Sequence, residues 1–464
     1  MHRPLVLLLV VAAGCADDSS NTNTTPDGGV DPMPDAAPAA PSIADVLDCG
    51  TVGSAGGLPQ GMDLVKVELD PTLFPKARCN DGTQSVFYVR PAATVAGRGR
   101  WMLQLQGGGG CHDPESCARR WCSVDTNMGM EHMTSRNAPD AIGGQGILTR
   151  DSRNPYADAN HVFVRYCSSD NHGGRTDPID VDAHHPITME PLRFRIEFHG
   201  REILDAVLST LRHDGASIPG MPDLDDATDV VLAGASAGAG GVISTADHVG
   251  EVLRANNGNA AALRFAALID STFGPSDQAL DWSTSTMCTG QDLCTFGAIM
   301  TYFSQMHVRD TDASCHAYHA SRPGTEWMCQ DLDHILRHHI ATPFFVRQGL
   351  RDRLIMPNAV ESMVTVPGRG LMTEALFEEL VRAELALLAN LPATAEEGGS
   401  ITRVPGVFAP PCTKHETLSD NANAFGVSVT VNTVARTMFD AFTLWQSGQN
   451  QPVIWSMGMP ADCP

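Results

Sequence analysis

Gly234-Ala235-Ser236-Ala237-Gly238 follows the apolar run Val230-Val231-Leu232-Ala233 and precedes helix-compatible sequence from Val242. A serine hydroxyl becomes a useful nucleophile when a base removes its proton, so this turn offers acyl transfer through a covalent intermediate. A sharp strand-to-helix turn would push the hydroxyl out at the carboxyl edge of a sheet. The flanking glycines are needed there because a side chain would strike neighbouring backbone. Taken alone, the five-residue pattern also fits a glycine-rich turn in a packed α/β sheet; its position after a strand is what raises it.

Acyl transfer also needs donors where the carbonyl oxygen turns negative. Trp101–Gln106 runs directly into Gly107-Gly108-Gly109-Gly110-Cys111. The amides of Gly108 and Gly109, with that of Ala237 after the serine, would form an oxyanion hole. Phosphate binding is the other use of a glycine run, but the segment has no Gly-Lys-Ser/Thr and no Gly-x-Gly-x-x-Gly opening a helix. An acid and a base should follow the serine in that order. Asp352 lies in Gly349-Leu350-Arg351-Asp352-Arg353, just past the apolar run Pro343–Arg347, and His415 lies in Pro410-Pro411-Cys412-Thr413-Lys414-His415-Glu416. His415 would deprotonate Ser236, and Asp352 would hold the imidazole tautomer and stabilise its charged form. Either residue alone reads as a surface loop position; the ordered set is far harder to obtain by accident.

The elements that must position these residues follow from the apolar pattern. Runs at 85–90, 101–106, 161–166, 229–233, 265–269 and 343–347 read as buried strands. Phe194–Phe198 leading into Ile203, Leu204, Val207, Leu208 and Leu211 reads as one amphipathic helix, and Leu371–Leu391 and Val431–Trp445 read as two more. Short apolar strands alternating with helices predict an α/β fold with a mostly parallel sheet flanked by helices. Residues from about 275 to 340 carry four cysteines and weaker periodicity, which predicts a disulfide-rich cap or insertion over the functional edge.

Several of these segments, in this order, resemble the pectin acetylesterase/Notum family. They are the glycine run Gln106–Cys111, the stretch from Asn154-Pro155 through Val164-Arg165-Tyr166-Cys167-Ser168-Ser169-Asp170, and Phe198-His199-Gly200-Arg201-Glu202-Ile203. The turn Gly234–Gly238, the acid in Leu350-Arg351-Asp352, the segment Cys412–Glu416 and Trp445 complete the set, over about residues 46–450. The resemblance implies an extracellular α/β-hydrolase with a Ser-Asp-His triad and no metal. Members of the family remove acetyl groups from pectin or a fatty acyl group from a secreted signalling protein. Two departures bear on the acyl pocket: Gln106 stands where a glutamate is common, and Gly110 where a bulky aromatic often follows the glycines.

The N-terminus reads as an address. Met1-His2-Arg3, the apolar Leu5–Val11 and Ala12-Ala13-Gly14-Cys15 resemble a bacterial lipoprotein signal, with Cys15 the lipidated residue; an ordinary signal peptide with an incidental Cys15 is the alternative. Residues 16–44 are rich in Asp, Asn, Thr, Pro and Ala, which reads as a flexible tether. The expected organisation is a signal over 1–14, a lipid-anchored linker over 15–44 and one catalytic domain over 45–464. Twelve further cysteines (of 13) in an exported chain suggest up to six disulfides, with Cys111–Cys117 and Cys288–Cys294 sterically possible. A zinc site at Cys111, Cys117 and Cys122 competes weakly, lacking a Cys-x-x-Cys pair.

A net charge of −23 over 464 residues argues against DNA, RNA or anionic headgroups as main partner. It also penalises a polyanionic substrate, unless Arg119 and Arg120 supply a local positive patch. Leu5–Ala13 is too short to span a membrane, so contact is expected only through the lipid anchor. His334, His338 and His339 sit at helical spacing and read as a solvated helix face in the cap rather than a metal pair. Asp177, Asp180, Asp182, His184 and His185 form an acidic loop whose spacing fits no EF-hand. Met128, Met130 and Met133 either fill core gaps or line an acyl pocket. Together these readings imply a serine carboxylesterase acting on O-acyl groups, acetyl first, of an extracellular glycan or related ester. No cofactor and no metal are expected, and the chain is expected to be a monomer. The alternatives are a longer acyl chain on lipid or protein, and a catalytically silent surface protein that binds glycan or a partner.

Overall fold

The computed structural model describes residues 38–49, 58–124, 128–213, 218–391, 403–449, 451–457 and 461–463. The expected signal over 1–14, Cys15 and the expected linker as far as residue 37 lie outside the described residues. One compact unit runs from Ala40 to Pro464. It begins ahead of the expected boundary at 45, because Ile43 is wholly buried and the amide of Ala40 donates to Asp180 at 2.9 Å.

Runs of consecutive apolar residues suit strands buried on both faces, and they form the middle of a ten-stranded sheet. Its strands are β1 (Leu64–Glu68), β2 (Val86–Arg90), β3 (Arg100–Leu105), β4 (Ala141–Ile142), β5 (Asn160–Val164), β6 (Asp229–Ala235), β7 (Arg264–Asp270), β8 (Phe344–Arg347), β9 (Gly406–Ala409) and β10 (Val453–Ile454). Their spatial order is β10-β9-β8-β7-β6-β3-β5-β2-β1-β4. The six pairings from β10 across to β5 are parallel, and the three from β5 to the β4 edge are antiparallel. The mostly parallel α/β architecture is as expected. The strands β1, β4, β9 and β10 were not legible as strands, being short or, at β1, broken by charge.

The main helices are α1 (Pro114–Trp121), α2 (Gly200–His213), α3 (Ala237–Ala255), α4 (Phe296–Phe303), α5 (Ala313–His319), α6 (Leu332–His338), α7 (Glu374–Leu388) and α8 (Met438–Gln446). Strand side chains alternate between two cores. Leu103, Leu105, Val230, Leu232 and Ile269 meet α2, α3 and α7 on one face. Met102, Val231, Leu268, Phe345 and Phe408 meet Phe439, Phe442 and Trp445 of α8 on the other.

Two predicted helices are shorter than expected. Pro191–Phe198 is a strand paired antiparallel with Thr176–His184, and the helix starts only at Gly200. Phe194, Ile196 and Phe198 alternate with Arg195 and Glu197, which is the period of a strand. Val434–Thr437 pairs back on Ser428–Val431 in a hairpin that turns at Asn432 and Thr433, both with positive φ. Thr437 then caps α8 in a capping box with Asp440.

Six disulfides close, at 49–122, 79–167, 111–117, 288–294, 315–329 and 412–463. Cys111, Cys117 and Cys122 are all consumed by them, which removes the zinc alternative. The chain between β7 and β8 forms the expected cap, with α4 to α6 and two of the disulfides. Among the described residues no helix is long and apolar enough to cross a membrane.

Candidate active site

β6 ends at Ala235 and α3 begins at Ala237, so Ser236 alone makes the turn, with φ 54° and ψ −122°. A non-glycine residue there is strained by about 1–3 kcal/mol and persists only when its surroundings hold it. Two backbone bonds do so: the Ser236 amide donates to the Asp270 carbonyl at 2.9 Å, and the Gly240 amide donates to the Ser236 carbonyl at 3.0 Å. Both flanking glycines are obligatory for space. A Cβ on Gly234 would lie 2.2 Å from the Gly238 carbonyl oxygen, and one on Gly238 2.2 Å from that of Leu105.

The structure brings Asp352 and His415 together. The His415 Nδ1 donates to both Asp352 oxygens, at 2.9 and 2.8 Å, and both side chains are buried. Burial alone would lower the His415 pKa, but the hydrogen bond to Asp352 and the negative charges of Asp352, Glu416 and Asp270 outweigh it and raise it above 6.5. For Asp352, burial pushes upward, and the bond from His415 with its positive charge brings the net shift below 3.8. The His415 Nε2 is buried and makes no hydrogen bond to the described residues, Ser236 included. Such contacts often form only once substrate closes the site.

Ser236, Ala237 and His415 line one open cavity of about 980 Å³, together with Gly109 and Gly110. Gly108 sits one step back. A Cβ there would meet the His132 ring at 2.4 Å, and its carbonyl accepts from the Arg120 Nη2 at 2.6 Å. Arg120 also donates from Nε to the Ser169 hydroxyl at 2.9 Å. It is buried, so the expected positive patch at Arg119-Arg120 does not form; Arg120 braces the glycine loop instead. The opposite wall comes from the cap, where Leu280, Trp282, Phe296, Ile299, Met300 and Phe303 face the cavity. Of the three methionines, Met128 lines the cavity, while Met133 is wholly buried in a separate core and Met130 packs against it.

Asp270, Ser271 and Arg347 were not singled out by the sequence, yet they carry the loop that holds His415. The Asp270 Oδ2 accepts from the amides of Thr417 and Leu418 at 2.7 and 3.2 Å, and its Oδ1 accepts from Arg347 at 3.1 Å. Ser271 accepts from the Glu416 amide at 3.1 Å. A signal did exist: Asp270 is the acidic residue ending the apolar strand next to the nucleophile strand. Glu416 packs against Gly107, where a Cβ would lie 2.0 Å from its Oε1, and burial raises its pKa to about 7.

The remaining candidates part from the sequence reading. Asp177, Asp180 and His184 belong to the strand Thr176–His184 and bind Lys76, Arg195 and Glu115, so they form ion pairs rather than a loop. His334 and His339 are buried, not on a solvated face, because their rings pack against His319 of α5.

A parallel sheet with its serine at a strained strand-to-helix turn, and a His–Asp pair delivered by later loops, belongs to the α/β-hydrolases. Within that class the chain belongs to the pectinacetylesterase family, whose profile matches residues 62–454. It is similar to the palmitoleoyl-protein carboxylesterase notum2 of Xenopus laevis, 26% identical over 362 residues, or 78% of this chain and 64% of that protein. The palmitoleoyl-protein carboxylesterase NOTUM of Homo sapiens is 33% identical over 177 residues, covering 38% of this chain and 30% of that one. The chain thus spans less than two thirds of the length of these curated relatives. Its fold matches the structure of the Wnt deacylase Notum from Drosophila with a TM-score of 0.58 at 23% identity, covering 84% of this chain and 95% of the other.

Proposed function

We propose that the protein is a serine carboxylesterase that hydrolyses O-acyl esters outside the cytoplasm. The observation that carries this reading is the convergence of Ser236, Ala237, Gly109 and the Asp352-bound His415 on one cavity. His415 takes the Ser236 proton as Oγ attacks the ester carbonyl, and Asp352 holds the Nδ1 proton and the imidazolium. The amides of Ala237 and of the Gly108–Gly109 segment receive the negative oxygen. His415 then protonates the leaving alcohol, and water deprotonated by the same ring releases the acid from the acyl-enzyme.

An acetylated glycan remains the first substrate class, given the family and its extracellular setting. One observation favours a longer acyl chain: an acetyl group fills little of an approximately 980 Å³ cavity whose cap wall carries Trp282, Phe296, Ile299 and Phe303. Six disulfides support an exported protein, and Ala12–Cys15 supports anchoring through a lipid on Cys15.

The test is hydrolysis of p-nitrophenyl acetate and p-nitrophenyl octanoate by residues 40–464 from an oxidising host, beside Ser236→Ala. Turnover lost in the variant supports the serine esterase, and the acetate-to-octanoate ratio assigns the acyl length. A folded protein no faster than its variant overturns the reading in favour of a silent binding protein.

A further inference from the structure

The cap holds a second group of side chains that the hydrolytic reading does not use. Cys315 and His319 lie one turn apart on α5, and His334 and His339 lie on α6 and just beyond it. All four are buried, and one ligand atom from each falls within 4.8 Å of the others. Cys315 is committed to its disulfide with Cys329, which leaves three imidazoles. The His334 Nε2 is 3.0 Å from the His319 Nε2 and 3.3 Å from the His339 Nε2. Ligand nitrogens about 2.0–2.1 Å from a tetrahedral zinc ion stand roughly 3.3 Å apart.

The protons on these rings can be placed from their outer partners. The Thr325 hydroxyl has one proton and donates it to the Arg322 carbonyl at 2.7 Å. It therefore accepts from the His319 Nδ1 at 2.8 Å, and that nitrogen carries the ring proton. The Ser314 hydroxyl donates to Asp312 at 2.6 Å, so it accepts from the His339 Nδ1 at 3.3 Å. A neutral imidazole protonated at Nδ1 has a lone pair at Nε2. Two lone pairs thus converge with the His334 Nε2, and a cation accepts all three nitrogens. Outer-ring hydrogen bonds like those to Thr325 and Ser314 are what orient metal-bound imidazoles.

We propose that His319, His334 and His339 form a zinc site in the cap, with a fourth ligand from solvent. The ion ties α5 to α6, whose first residues Leu332 and Asp333 line the candidate active-site cavity. The site is therefore structural and braces one wall of that cavity.

The experiment strips the purified protein with EDTA, removes the chelator and adds Zn2+ or Co2+. One equivalent of zinc should bind by atomic emission, and a hundredfold excess over Kd should raise Tm by roughly 2–5 °C. Co2+ should give visible d–d bands without a thiolate charge-transfer band. His319→Gln and His339→Gln should each lose at least about tenfold in affinity, with p-nitrophenyl ester turnover as the control for folding. No stoichiometric binding by the wild-type chain, unchanged affinity in folded variants, or a thiolate band would each overturn the proposal. Turnover at 25 °C should survive the chelator, because Ser236, His415 and Asp352 supply each nucleophilic and proton-transfer step. The zinc site and the esterase reading therefore stand or fall separately.

Discussion

The Asp270 carboxylate accepts from the Thr417 amide at 2.7 Å, two residues beyond His415. Its backbone carbonyl accepts from Ser236 at 2.9 Å. One residue at the end of β7 therefore holds both the turn that presents the nucleophile and the loop that presents the base. Its other carboxylate oxygen is bound by the buried Arg347.

Asp270→Ala should accordingly damage stability and turnover together. The variant leaves the Arg347 guanidinium buried without its counter-ion, a loss of about 3–5 kcal/mol. It also frees the 416–418 backbone, so kcat should fall about 10²-fold while His415 remains present. Urea unfolding and steady-state kinetics on a p-nitrophenyl ester check the two effects; unchanged kcat in a folded variant would falsify the positioning role.

Asp352→Asn keeps the shape of the site and removes the charge. The amide no longer selects the Nδ1–H tautomer, so a loss of about 10⁴-fold in kcat is expected, with little change in unfolding midpoint. Ser236→Ala should lose about 10⁴- to 10⁶-fold. A residual rate above one per cent in either variant would point to another nucleophile or base.

The pH profile has a definite sign. His415 accepts the Ser236 proton only when neutral, and its pKa is raised above 6.5, so kcat/KM should climb with pH and reach half its plateau above 6.5. Glu416, itself raised to about 7, carries a partial negative charge near the midpoint that raises His415, so Glu416→Gln should move the midpoint to lower pH. Profiles of the two proteins measured side by side from pH 5 to 9 decide this; coincident midpoints would remove Glu416 from the electrostatics of the site.

Arg120→Met should slow the reaction through the glycine loop. The change strands the Gly108 carbonyl and the Ser169 hydroxyl, costing about 1–3 kcal/mol of stability. The displaced amides of Gly108 and Gly109 then stabilise the oxyanion less well, which lowers kcat by up to about 10²–10³-fold with a smaller effect on KM. Arg120→Lys should not restore the rate, since an ammonium cannot span both partners.

The Cys412–Cys463 disulfide closes a separation of 51 residues just before His415. Cys412→Ser with Cys463→Ser should lower stability by about 2–4 kcal/mol. A thermal melt of the double variant reads this directly. An equal loss on removing Cys288–Cys294, which spans only 6 residues, would speak against loop length as the cause.

Much of this molecule was determined locally. The strands β2, β3, β5, β6, β7 and β8 announce themselves as continuous apolar runs, because a strand buried on both faces needs no polar side. The turn at Ser236 and the glycines at 107–110 are legible because only glycine tolerates the close contacts at 107, 108 and 110 and the positive φ at 109, and chain order alone ranks Asp352 and His415 behind the serine. What the sequence left open depends on which segments meet. Residues 194–198 and 431–437 read as helix because apolar residues are dense in them, and only pairing with a partner strand selects the extended form. The edge strands β1, β4, β9 and β10 owe their existence to neighbours far away in the chain. The roles of Arg120, Asp270 and Arg347, and the burial of His319, His334 and His339 against one another, come from contacts between residues that no local pattern links. Local sequence sets which conformations are cheap; the tertiary fold decides which polar groups lose water together, and that shared loss of water turns separate residues into a site.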